Sequence, residues 1–253
     1  MISSRRGFCA MGIGSLASLV LSGCGEREFN ARNDGRLKSR VHDGVRTSVA
    51  GHLTLGLDSD RDAFLQVPAN DSSPLPLLIM LHGAGQSAED MFWYLGSAPE
   101  DTKVAVLAPN SRGQTWDAIH GAFGPDVDFI DRALDRVFQS VAIDPARLAI
   151  GGFSDGASYA ISMGLINGDL FKRVVGFSPG FVLYRTSYGQ PVVFISHGTG
   201  DRILPINSCG LSIAMELRRR GYQTNFREFD GGHEIPEAIA REGLAWIATP
   251  NQM

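Results

Sequence analysis

From Leu75 onward the sequence alternates short apolar runs with longer segments of helical period, and this alternation restricts the chain to a small set of folds. The runs Leu75 to Leu81, Lys103 to Leu107, Arg147 to Ile150, Arg173 to Phe177, Val192 to Ser196 and Gln223 to Phe229 have the length of strands. The more continuously apolar of them must be covered on both faces, which is the situation of a central strand in a parallel sheet. Between them lie helix-like segments at Ala88 to Leu95, Val127 to Val141, Ser154 to Ile166, Leu211 to Arg220 and Pro236 to Ile247. In the second of these, Val127, Ile130, Leu134, Val137, Phe138 and Val141 recur at helical spacing, while Asp128, Asp131, Arg132, Asp135 and Arg136 form a solvated face. Strand, helix, strand repeated in this way predicts an α/β fold, a mostly parallel central sheet with helices on both faces. Two earlier stretches, Ser48 to Leu57 and Ala63 to Val67, separated by Asp58-Ser59-Asp60, read as an antiparallel entrance to that sheet.

The length of 253 residues, 43% of them hydrophobic, suits one domain with one substantial core. A net charge of -4 with both signs interspersed offers no positive face for phosphates, so nucleic acid is not an expected partner. The first residues follow a different logic. Arg5 and Arg6 precede an uncharged run from Phe8 to Leu21, too short to span a bilayer comfortably, and the order fits a secretory signal of the twin-arginine kind. Leu21-Ser22-Gly23-Cys24 resembles the lipobox of bacterial lipoproteins, which implies acylation of Cys24, export, and a lipid anchor holding the chain to a membrane with the domain facing the periplasm or exterior. The expected division is therefore a signal over 1–23, a flexible tether over 24–46 and a folded domain over 47–253. Only Cys209 is left in that domain, which excludes an internal disulfide and makes it an expected buried apolar side chain. No clustered His and Cys ligands point to a metal.

Gly152-Phe153-Ser154-Asp155-Gly156 follows an apolar strand and opens a helix. That is the setting of a nucleophile elbow, where glycines let the backbone turn tightly enough to project the Ser154 hydroxyl above the sheet edge. The pattern alone is weak, since on the order of 0.3 matches arise by chance in a chain of this composition. Two later turns strengthen it. His197-Gly198-Thr199-Gly200-Asp201 follows one strand and presents a carboxylate; Asp230-Gly231-Gly232-His233 follows the next and presents an imidazole. The order Ser154, Asp201, His233 suits a hydroxyl nucleophile, the acid that orients the base, and the base. The turn His82-Gly83-Ala84-Gly85 stands where an oxyanion donor is needed, with Ala84 N–H as one donor and Asp155 N–H as the other. Asp117 and Asp126 are rival carboxylates, but both precede Ser154. His82 and His197 read as turn residues, and His42, His52 and His120 lie in no motif.

Leu81-His82-Gly83-Ala84-Gly85-Gln86-Ser87, Gly152-Phe153-Ser154-Asp155-Gly156, His197-Gly198-Thr199-Gly200-Asp201 and Gly231-Gly232-His233 together resemble the phospholipase/carboxylesterase group of α/β-hydrolases. Polyhydroxybutyrate depolymerase-like and feruloyl-esterase-like proteins are near neighbours of that group. The resemblance covers the chain from about Ala63 to the last helix. It implies hydrolysis of carboxylic esters without a cofactor, on a small-molecule or polymer ester, through an acyl-enzyme. Pro109 to Asp117 looks like the loop beside the acyl pocket in that group, which makes Trp116 a candidate either for the substrate cleft or for a partly buried aromatic that pins the loop. Ala84 is smaller than the residue many lysophospholipase or acyl-thioesterase relatives carry there, which argues against long acyl thioesters. No insertion long enough for a lid stands between the strands. A serine peptidase of the same fold, or a silent binding lipoprotein, are the other activities such a chain could carry.

Overall fold

The computed structural model describes residues 34–69, 74–183 and 185–250. The signal expected over 1–23 and Cys24 lie outside the described residues.

Eight strands form one sheet: β1 (Gly51–Thr54), β2 (Ala63–Val67), β3 (Leu75–Leu81), β4 (Ala105–Pro109), β5 (Ile143–Phe153), β6 (Arg173–Phe177), β7 (Val192–Gly198) and β8 (Thr224–Phe229). Their order across the sheet is β1-β2-β4-β3-β5-β6-β7-β8. β1 and β2 pair antiparallel at one edge and the other six run parallel, as the apolar runs require. β3 sits between β4 and β5 with all seven residues buried.

The helices are α1 (Ala88–Leu95), α2 (Ala98–Thr102), α3 (Pro125–Ser140), α4 (Asp155–Ile166), α5 (Gly210–Arg219) and α6 (Glu237–Ala248). They divide between the two faces of the sheet, and two apolar clusters result. One collects Leu77, Ile79 and Ile150 with the buried faces of α3, α4 and α5; the other collects Leu78, Met80 and Val175 with α1 and α6. The alternation of β3 side chains between the two clusters is the two-residue period of a strand covered on both sides.

Four features differ from the sequence reading. The first strand is shorter than Ser48 to Leu57, because only four residues find partners on β2. Lys103 adopts a left-handed conformation and closes α2, so β4 begins at Ala105. The expected tether does not stay free up to Arg46. Leu37 is buried, its N–H donating to Asn167 Oδ1 at 2.9 Å, while Asn167 Nδ2 donates to Gly35 O at 2.8 Å. Arg36 donates to Ile166 O and both Asp169 oxygens, and Lys38 and Ser39 N–H donate to Asp131. Residues 35–39 thus strap the C-terminal end of α4 to α3, satisfying carbonyls a helix end leaves open. Cys209 is half-buried rather than buried, at the N-terminal boundary of α5.

Candidate active site

Ala84, Ser154, Asp155, Asp201 and His233 sit at the C-terminal edge of the parallel sheet, where the strands stop and the crossovers begin. Ser154 ends β5 and opens α4. Its φ of 57° is a left-handed value that a non-glycine residue holds only when its surroundings impose it. The imposition is visible: Ser154 N–H donates to Phe177 O at 3.0 Å, and β5 is locked between β3 and β6. The flanking glycines are steric necessities. A Cβ on Gly152 would overlap the Gly156 backbone, and one on Gly156 would overlap Leu81 O.

The Ser154 hydroxyl so projected lies 2.9 Å from His233 Nε2, and His233 Nδ1 lies 2.7 Å from Asp201 Oδ2. Asp201 Oδ2 can only accept, so Nδ1 carries the proton and Nε2 is left as the acceptor facing the serine. The His233 ring rests on Phe153, with centroids 4.8 Å apart. Asp201 is fully buried at its side chain, and its Oδ1 accepts from Ile203 N–H at 2.9 Å and Leu204 N–H at 2.8 Å. Burial pushes this carboxyl up, but the Leu204 N–H, His233 and the Ile203 N–H outweigh it and hold Asp201 below the ordinary carboxylate range. The Asp201 carboxyl is thereby kept ionised.

Facing the serine is the turn after β3. A Cβ built on Gly83 would come within 3.3 Å of Ser154 Cβ, so this turn lies against the Ser154 side chain. Among the described residues neither Ala84 N–H nor Asp155 N–H has a hydrogen-bond acceptor. Asp155 is the first residue of α4, whose N-terminus adds a positive dipole end beneath a developing oxyanion. Gln86 Oε1 accepts from Gly83 N–H at 2.9 Å and its Nε2 donates to Tyr94 at 3.0 Å, fixing the turn to α1.

Trp116 does not line a cleft. It is fully buried, stacks between His82 and Tyr159, and donates its Nε1–H to His82 O at 2.8 Å. It ties the loop after β4 to the turn after β3, because a buried indole needs an acceptor and His82 O supplies one. His82 has a matching role: Ser111 N–H donates to its Nε2 at 3.0 Å and its Nδ1 meets Gly83 O at 2.8 Å. Burial pushes His82 down, so it stays a neutral strut. The Asp155 carboxylate makes no helix cap; it accepts from Thr115 at 2.8 Å, tying the loop after β4 to the start of α4. Asp117 and Asp126 are buried beneath that loop, each accepting the other's backbone N–H, away from His233.

Gln86, Thr115 and Ser158 carried no signal of their own in the sequence. Ser158, one turn into α4, accepts from Gly180 N–H at 2.9 Å and, with Ser162 accepting from Leu183 N–H at 2.9 Å, holds the irregular connection after β6 beside the elbow. Spacing of i and i+4 on a helix aligns the two serines, a pattern visible only once their acceptor role is known.

Comparison with known proteins agrees with this geometry. The family model described as phospholipase/carboxylesterase matches residues 104–241, more than half of the chain. Feruloyl esterase C of Emericella nidulans is 24% identical over 78% of this chain and 86% of its own. The bifunctional acetylxylan esterase/xylanase XynS20E of Neocallimastix patriciarum is 27% identical over 57% of this chain and 22% of its own. Among solved structures, the Staphylococcus aureus fluorophosphonate-binding serine hydrolase FphF superposes with a TM-score of 0.64 at 18% identity, covering 81% of this chain and all of that one. The ferulic acid esterase AmCE1/Fae1A of Anaeromyces mucronatus superposes with a TM-score of 0.58 at 19% identity, over 83% and 93% of the two chains. With the family model matched over more than half of the chain and esterases among its relatives, the chain belongs to the phospholipase/carboxylesterase family of α/β-hydrolases and is a serine esterase.

Proposed function

We propose that Ser154 is the nucleophile, His233 the base and Asp201 the acid that orients it, with Ala84 and Asp155 N–H as the oxyanion donors. The observation that carries this reading is the continuous relay Ser154 Oγ, His233 Nε2, His233 Nδ1, Asp201 Oδ2, with links of 2.9 and 2.7 Å. In the first half-reaction Ser154 Oγ attacks the ester carbonyl as His233 Nε2 takes its proton. The carbonyl oxygen becomes an oxyanion between the two backbone donors, and the alkoxide leaves with the proton returned by His233. Water then repeats the sequence on the acyl-enzyme, its proton passing to His233 and finally to Ser154, and the carboxylic acid is released. Each step conserves the protons within the triad, so no cofactor enters.

The substrates are carboxylic esters small enough, or sufficiently end-on in a polymer, to reach a serine at an open sheet edge. The names of the feruloyl and acetylxylan esterase relatives support an aryl or acetyl ester borne on a larger alcohol. The chain is exported and anchored through acylated Cys24, a reading supported by Leu21-Ser22-Gly23-Cys24 behind an uncharged run. The strap over residues 35–39 leaves the domain at the C-terminal end of α4, about 18 Å along the helix from Ser154. The test is hydrolysis of p-nitrophenyl esters from acetyl to long acyl, with methyl ferulate alongside, by the chain starting at Cys24. A preference for acetyl or feruloyl over long acyl chains is expected; an optimum at long acyl chains would overturn the substrate assignment. Cys24→Ser is expected to release the protein from the membrane fraction, and retention there would overturn the anchor.

A further inference from the structure

Asp201 has a second histidine. His197, four residues before it at the end of β7, is fully buried, and its Nε2 lies 3.2 Å from Asp201 Oδ2, the same oxygen that meets His233 Nδ1. The same Nε2 is 2.7 Å from Leu204 O. Both neighbours only accept, so Nε2 carries the proton; it is hydrogen-bonded to Leu204 O and stands beside Asp201 Oδ2. The other nitrogen, Nδ1, is buried with no partner among the described residues. A cationic ring would leave a buried N–H donor orphaned there, so the ring is neutral. Burial also pushes His197 down, against the Leu204 carbonyl and Asp201; Asp201 and His233 are the titratable groups acting on it. Gly210 closes the pocket from α5, where any Cβ would overlap the His197 ring, so the ring has no room to turn away. Asp201 therefore accepts two backbone N–H groups on Oδ1 and the His233 imidazole on Oδ2, with His197 Nε2 a further 3.2 Å neighbour of that same oxygen.

We propose that His197 is a positioning residue for the esterase reaction, acting through Asp201: its Nε2–H fixes Oδ2 on the line to His233 and shares that oxygen's charge. The proposal rests on Asp201 being the orienting acid. A donor on Oδ2 limits how strongly the carboxylate holds a protonated His233, which favours return of the proton to the leaving group. His197→Phe keeps the ring and removes the donor, whereas His197→Gln places an amide N–H near the position of Nε2.

The experiment is kcat/KM for p-nitrophenyl acetate against pH for the native protein, His197→Phe, His197→Gln, Asp201→Asn and the His197→Phe/Asp201→Asn pair. His197→Phe is expected to lower kcat/KM about tenfold and to move the acidic limb up by about half a pH unit, because a carboxylate with one donor fewer attracts the imidazolium more strongly. His197→Gln is expected to recover most of both. In the Asp201→Asn background His197→Phe is expected to cost nothing further, since the path through Asp201 is already cut. An equal loss in both backgrounds with an unmoved limb, or no loss at all, overturns the proposal by showing only packing; should the phenylalanine variant not fold, an unmoved limb in His197→Gln with a loss that persists beside Asp201→Asn overturns it equally. Full activity in Asp201→Asn overturns the acid assignment itself, and is distinguished by that single variant.

Discussion

Replacing Asp126 with asparagine removes a charge from the support beneath the oxyanion turn and should change how stability depends on pH. Asp126 is 1% exposed, and its carboxylate accepts from Arg112 N–H and Asp117 N–H. Burial, reinforced by the neighbouring Asp117 carboxylate, pushes it from the ordinary 3.8 up to about 6. A folded-state value raised above the unfolded one contributes stability fully below about pH 4, and that stability is lost as pH rises through about 6. At about 1.4 kcal/mol per pH unit the difference is about 3 kcal/mol between pH 4 and pH 7. Asparagine carries no charge at any pH and lacks this slope. Its single oxygen serves one of the two N–H groups, so at pH 4 the variant is expected to be less stable by about 1–3 kcal/mol, and at pH 7 the gap should close or reverse. Asp169, held down to about 2, chiefly by its hydrogen bond from Arg36, is common to both proteins and cancels in the comparison. Urea unfolding followed by tryptophan fluorescence at a series of pH values measures it, with buried Trp116 as a reporter of the same region. Parallel stability curves for the two proteins between pH 4 and pH 7 would refute the reasoning.

Trp116→Phe keeps an aromatic ring but loses the hydrogen bond to His82 O, so kcat should fall about tenfold with KM nearly unchanged; steady-state kinetics showing a raised KM at constant kcat would return Trp116 to the substrate cleft. Gly156→Ala drives a methyl into Leu81 O and His82 O, and calorimetry should find a loss of about 3 kcal/mol or more; an unchanged Tm would contradict the tight elbow. Arg36→Ala breaks an ion pair whose side chains are 24% and 39% exposed, so chemical denaturation should register less than about 1 kcal/mol, with esterase activity intact; a loss above about 2 kcal/mol would make the strap a structural keystone.

The parallel strands, and the turns that bring Ser154, His233 and Asp201 within hydrogen-bond reach, could be read from the sequence because each signal was local: an apolar run, then a glycine turn presenting one polar side chain. The choice between the two readings of Trp116 was open for a physical reason. Its loop borders the site, but whether an indole faces substrate or core depends on which acceptor lies within reach, and His82 O belongs to a different loop. The strap at residues 35–39 escaped notice because its composition is that of a free linker. What docks it is one buried leucine and the amide of Asn167, 130 residues distant. His197 read as a turn residue, since its link to Asp201 exists only when the chain between them folds back on Leu204.

The measurement that bears most directly on Ser154 as nucleophile is peptide mapping by mass spectrometry after reaction with a fluorophosphonate, beside the Ser154→Ala variant. A single phosphonyl adduct on the Ser154 side chain, absent from the variant, is the predicted result. An adduct on another residue, or undiminished labelling of Ser154→Ala, would contradict it.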